Sequence, residues 1–155
     1  MIRLSAVRNL PVILGDKKLG YVHDFVFDDE QKRVLMLIAA CGMRSKRVVF
    51  SKDILAMNEN FIMIRASYPH KRSMTAVRCC FVHDATGLVA GSVRDYAIDP
   101  DTMEIRAIQI CTGYLPSDHK RRIWMYSFVR HKDIPDVLSI PLHLCQELIS
   151  AGEGT

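Results

Sequence analysis

The sequence is poor in the features that announce a chemistry. Neither GxGxxG nor a Walker pattern occurs, so the backbone cradles that common nucleotide-binding classes build around phosphate have no source here. No GxSxG nucleophile motif is present. The five cysteines, Cys41, Cys79, Cys80, Cys111 and Cys145, form no CxxC pair, and an odd number fits a disulfide framework poorly. They read as thiols kept in a reducing compartment. The longest apolar run, Val34 to Cys41, falls well short of the ~18 to 20 residues of a membrane-crossing helix. The opening Met1-Ile2-Arg3-Leu4-Ser5 lacks the apolar stretch of a signal peptide. The expectation from these absences is a soluble, cytoplasmic protein that is not an enzyme and holds no cofactor or metal.

What is present is the composition of a folded protein. Hydrophobic residues make up 49% of the 155 and charged residues 25%, a balance that supports a packed core. The net charge of +4 permits an acidic partner without defining one.

The informative feature is self-similarity. Ala6-Val7-Arg8 recurs as Ala76-Val77-Arg78 with Val12 matching Val82, an offset of 70 (76 less 6). After one added residue in the turn that follows Leu14 the offset is 71 (91 less 20). It pairs Gly20 with Gly91, Val22 with Val93, Asp24 with Asp95, Asp28 with Asp99 and Gly42 with Gly113. Beyond the loop after Gly42 it becomes 76 (126 less 50), pairing Phe50 with Tyr126 and Phe61-Ile62-Met63-Ile64 with Val137-Leu138-Ser139-Ile140. The insertions fall in loops, where added length is cheap, and a slip of one residue inside a strand would turn every side chain to the wrong face. The chain is therefore divided into a first repeat over 1–65, a linker over 66–72, a second repeat over 73–140 and a tail over 141–155.

Within each repeat, short apolar runs alternate with turn residues, the pattern of strands. Gly20 to Phe27 and Val34 to Ala40 form one hairpin around Asp28 to Lys32; Val89 to Ile98 and Ile105 to Cys111 form its counterpart around Asp99-Pro100-Asp101-Thr102. Val48 to Phe50 and Phe61 to Ile64 add strands, with Ser51 to Ala56 expected as one helical turn capped by Ser51. Pro141 is placed to open a short helix through Leu142, Leu144, Cys145, Leu148 and Ile149 that Gly152 would stop. The expected fold is all-β: two small barrels in tandem, packed on each other, with short helical turns and a C-terminal helical tail.

Gly20-Tyr21-Val22-His23-Asp24 with Phe27-Asp28, Val34, Val49-Phe50-Ser51, Ile54 and Phe61-Ile62-Met63-Ile64 resembles the PRC-barrel family. That β-barrel module is seen in the photosynthetic reaction-centre H subunit and in a ribosome maturation factor. Gly91-Ser92-Val93-Arg94-Asp95 and Ile98-Asp99 repeat the match, so the tandem form is similar to small stand-alone bacterial members. In the second repeat Arg130-His131-Lys132 stands where the first has Ile54-Leu55-Ala56, and the helical turn is not expected there. The resemblance implies an adaptor or assembly protein that binds a protein partner. The alternative it implies is an RNA-binding factor associated with RNA processing or ribosome maturation.

Two groups of residues stand out. Gly20, Asp24, Asp28, Gly91, Asp95 and Asp99 occupy matched positions. Asp24 and Asp95 read either as a paired-carboxylate site or as acceptors for backbone N–H groups at a bulge, and the shared position favours the second. Asp28, Asp29, Asp99 and Asp101 lack the glycine and terminal glutamate of a calcium loop. The candidate contacts for a partner or for RNA are the basic loops: Arg44, Lys46 and Arg47, then Tyr114, His119, Lys120, Arg121 and Arg122, then Arg130 and Lys132. A homo-oligomer is an open alternative among the partners.

Overall fold

The computed structural model describes residues 1–71, 74, 81–84, 86–87, 89–112, 121–134 and 137–140. Strands dominate. After β1 (Ile2–Arg3) and a single helical turn α1 (Leu4–Val7) come β2 (Pro11–Leu14), β3 (Lys17–Phe27), β4 (Val34–Ala40), β5 (Lys46–Phe50), β6 (Ile54–Met57), β7 (Ile62–Ile64) and β8 (Tyr68–Pro69). The second half supplies β9 (Phe81–His83), β10 (Val89–Ile98), β11 (Ile105–Thr112), β12 (Arg121–Met125), β13 (Val129–Arg130) and β14 (Val137–Ser139).

These strands form two sheets with the same plan. The first runs β6-β7-β2-β3-β4-β5-β8 and the second β13-β14-β9-β10-β11-β12, with β1 added against β10. Each contains one parallel pair, β2 with β7 and β9 with β14, at the same place in the order. The registers reproduce the sequence offsets. Val12 faces Ile62 as Val82 faces Leu138, Val12 faces Gly20 as Val82 faces Gly91, and Leu37 faces Val49 as Ile108 faces Met125. Even a bulge recurs: the pairing skips Leu19 in the first half and Ala90 in the second.

Two matched glycines show why the plan needs them. A Cβ on Gly20 would sit 2.1 Å from the Ala40 carbonyl oxygen. One on Gly91 would sit 2.7 Å from the Cys111 carbonyl oxygen and 2.3 Å from Cγ2 of Ile110. Ala40 and Cys111 are themselves a matched pair, so in both halves β3 or β10 crosses its neighbour closely enough that only hydrogen fits.

The segment after β5 departs from expectation. Only Ser51–Asp53 is helical, a 3₁₀ turn whose N-cap is Phe50 and which no side chain caps, and Ile54 to Met57 are extended as edge strand β6. Pairing with β7 pulls these residues into the sheet, because alternating Ile54 and Met57 contacts are buried more fully there than on a free turn. In the second half, β13 aligns Val129 with Ser139 as Ala56 aligns with Met63, so Val129-Arg130, and not Arg130-His131-Lys132, takes the place of β6. That half reaches β13 three residues sooner, which is the length of the missing 3₁₀ turn. Tyr68-Pro69, inside the stretch read as linker, pairs with β5. The expected C-terminal helix at 141–155 lies outside the described residues.

The chain forms two compact units. The first comprises Met1–Val77 with Tyr96–Arg106, and the second Arg78–Asp95 with Ala107–Thr155. The first unit's core gathers Val12, Val22, Phe25, Leu37, Val49, Ile62 and Ile64, all under 2% exposed. It includes the tip of the β10–β11 hairpin, where Ile98 faces Ile2 and the Tyr96 ring lies 4.7 Å from that of Phe27. The second unit's core includes Val82, Ile108, Ile110 and Leu138.

Candidate functional site

Two surfaces of the first sheet present side chains that the core does not use. One is basic and aromatic and begins on β3. Tyr21 and His23 are exposed while Val22 and Phe25 are buried, the alternation of a strand with one face on the core. A bulge between Val22 and Asp24 breaks the alternation and leaves Asp24 part-exposed. Its Oδ1 accepts the Phe25 N–H at 2.9 Å and lies 3.4 Å from Nη2 of Arg8. Arg8 reaches this place because Asn9, at φ +65°, turns the chain back. The Asn9 N–H then donates to the Val22 carbonyl, and Val22 donates to Leu10, each at 2.9 Å.

Register carries the surface across the sheet. Tyr21 faces Ala40 on β4, Ala40 faces Lys46 on β5, and the His70 N–H donates to the Lys46 carbonyl. Tyr21, Ala40, Lys46 and His70 thus form one row. Three strand spacings of ~4.8 Å make it about 14 Å long. His23 stands beside it with its pKa below the usual imidazole value, first through burial and then through the charges of Lys46, Arg8 and His70. Burial also raises the Cys41 thiol, next to the row, so it stays neutral.

The basic residues named from sequence separate into roles. Arg44, at φ +62° in the turn after β4, and Lys46 are exposed. Arg47 is committed to structure, donating from Nε to the Ser67 hydroxyl at 2.7 Å and from Nη2 to the Ser67 carbonyl at 2.8 Å. Arg122 and Lys132 are exposed, and Arg121 and Arg130 half-buried. Tyr114, His119 and Lys120 lie outside the described residues, as do Cys79 and Cys80. Arg8, His23 and His70 join the basic surface although no loop cluster pointed to all three. The signal was available in the repeat: His23 matches Arg94, and Lys46 matches Arg122, which faces Cys111 as Lys46 faces Ala40. Both halves place a basic residue type at these two positions.

The matched acids serve the backbone. Asp28 Oδ1 accepts the N–H groups of Lys32 and Arg33 at 2.6 and 3.0 Å. Asp99 Oδ1 accepts those of Asp101 and Thr102 at 2.9 and 3.3 Å. Asp95 is buried in β10. Among the described residues, no three His, Cys, Asp or Glu side chains gather as a metal-binding group.

The second surface lies at the other end of the first sheet. Edge strand β6 and its neighbour β7 expose Leu55 (55%) and Met63 (37%). With Leu14, Gly15, Ile64 and Arg65 they line an open groove of about 400 Å³. Lys17 faces Leu14 across the β2–β3 turn, and Arg65 donates from Nη2 to the Lys52 carbonyl at 3.1 Å with its Nε 3.9 Å from the Asp53 carboxylate, so the groove is apolar along its floor with an ion-paired arginine at one end.

A curled, nearly all-β module with an edge strand beside an open groove defines a class, the small barrel-like domains. Residues 1–68 match the family model of the PRC-barrel domain. No curated protein matches the chain. Among the described residues no helix is long and apolar enough to cross a membrane.

Proposed function

We propose that this protein is a non-enzymatic adaptor that binds a protein partner by strand addition at β6. The observation that supports it is the apolar groove along an edge strand. An edge strand offers backbone donors and acceptors to an incoming chain, and adjacent apolar side chains select what joins it. Leu55 and Met63 supply that selection. The apolar floor and the exposed Lys17 beyond Leu14 favour an extended segment with aliphatic side chains and a terminal carboxylate, while Arg65 is shared with Asp53. In this reading the second half, whose β13 holds the same place, offers a related edge in Val129. The work is that of an assembly protein in the cytoplasm, where thiols such as Cys41 stay reduced.

The test is an amide chemical-shift titration of the full chain with a short synthetic peptide of alternating valine and threonine carrying glutamate at both ends. Shifts confined to β6, β7 and the Gly15 turn, abolished in Leu55→Asp and Met63→Asp, are expected. Both substituted positions are exposed, so the variants keep the fold. Shifts spread over other strands, or unchanged binding by the variants, would count against strand addition.

A further inference from the structure

The basic row at the β8 end of the first sheet is separate from the β6 groove and asks for a different ligand. We propose that the row Tyr21–Ala40–Lys46–His70, with His23 and Arg8 beside it, binds single-stranded nucleic acid.

Three observations carry this inference. The first is charge: Lys46 on β5 and Arg8 in the turn after α1, the latter ion-paired with Asp24 at 3.4 Å, stand close to His23 and to His70 of the segment after β8. Lys71 and Arg44 extend the same sign at the exposed ends. A polyanion gains here by releasing counterions, a term that needs no base sequence.

The second is the aromatic component. Tyr21 is 46% exposed and Tyr68 41%. Neither ring is loose. Lys18 Nζ donates to the Tyr21 hydroxyl at 2.6 Å and lies 4.5 Å from its ring centroid, and Phe50 meets Tyr68 edge-on at 5.3 Å. Exposed rings held beside cations on a sheet face form the platform on which unpaired bases stack. An acidic polypeptide would use the cations and leave the rings idle. Between Tyr21 and Lys46 the row carries the small side chain of Ala40.

The third is repetition with a difference. The second half has Arg94 and Arg122 at the positions of His23 and Lys46, but has Ser92 where the first has Tyr21. Phosphate attraction is thus common to both halves, while stacking belongs to the first. The stacking anchor of a bound strand therefore lies in the first half, at Tyr21.

Fluorescence anisotropy of a labelled oligouridylate of about fifteen nucleotides, titrated with the full chain, tests this inference. Binding is expected to weaken as salt rises, with a log–log slope of about −0.7 for each phosphate contact, so about −2 to −3 for the row. Lys46→Glu should weaken it at least tenfold, Lys46→Arg should restore it, and Tyr68→Ala should weaken it about tenfold through lost stacking. All three variants alter exposed side chains and retain the fold by circular dichroism. Absence of binding, or binding indifferent to Lys46→Glu, overturns the proposal. So does equal affinity for the matching duplex, which hides its bases. Displacement by polyglutamate at equal charge concentration, with Tyr68→Ala silent, assigns the face to an acidic protein instead.

Discussion

Arg33 and Glu104 face each other in an isolated antiparallel bridge, and they are 71 residues apart, the offset that relates the two hairpins. The hydrogen bonds around them obey the same relation. Val34 donates to the Met103 carbonyl at 2.9 Å, and Ile105, the match of Val34, donates to the Lys32 carbonyl, the match of Met103, at 2.8 Å. Each hairpin gives the other what it receives. That reciprocity is the mark of an isologous contact, normally made between identical subunits and here made within one chain.

The ring contact near this bridge should be measurable as a coupling. Phe27→Ala and Tyr96→Ala each remove a large side chain from the first unit's core, at a cost of about 3 kcal/mol or more. The double variant should cost less than their sum by about 0.5 to 1.5 kcal/mol, the worth of an aromatic pair. Urea denaturation of the four proteins gives the value. A coupling of zero would mean the rings contribute area alone.

Gly20→Ala should destabilise the fold by about 3 kcal/mol, because the methyl group would meet a backbone carbonyl that cannot rotate away. Gly91→Ala should cost less, since its nearest obstacle is the Ile110 side chain. Gly15→Ala makes the contrast: it has open space but φ +65°, so about 1 kcal/mol of backbone strain is expected. Thermal melts of the three variants should follow that order.

His23 should titrate below 6.5 in the folded protein, with burial and the neighbouring Lys46, Arg8 and His70 as the causes. A group whose folded pKa is depressed takes up its proton more readily when unfolded. The stability linked to His23 is therefore intact above pH 6.5 and declines as pH falls through its folded pKa. Lys46→Ala removes the largest of the three charges and should move the His23 ring resonances back toward 6.5 in a proton NMR titration. An unmoved midpoint would place Lys46 farther from His23 than the register implies.

Asp99 holds its carboxyl below the ordinary 3.8, chiefly through the N–H of Asp101, with Thr102 and Arg106 adding to it and desolvation opposing. Its contribution is full above pH 3.8 and disappears as pH falls through the lower, folded value. Asp99→Asn should therefore flatten the acid limb of the stability curve below pH 4 while leaving the neutral region less affected. Urea midpoints between pH 2.5 and 7 check the sign.

Much of this architecture can be read from the chain before any coordinate is known. Matched pairs such as Gly20 with Gly91 and Asp28 with Asp99 are visible because turns and close crossings accept few residue types. The three offsets translate directly into strand registers. The 3₁₀ turn and β6 were harder to read: Ile54 to Met57 is four residues long, and so short an apolar run fits a helical turn as well as a strand. The basic row was harder still. Arg8, His23, Lys46 and His70 are scattered over more than sixty positions, and only sheet register brings them to one face.

The sequence by itself determined the matched positions of the two halves, the hairpin in each and the glycines they share, because these follow from local chemistry repeated at offsets that change only in loops. Tertiary structure alone decided that the tip of the second hairpin belongs to the first unit, that β6 presents an edge beside an apolar groove, and that Arg8, His23, Lys46 and His70 come together. Those depend on which distant backbone groups pair, a choice made by the burial of the whole core and not by any one segment.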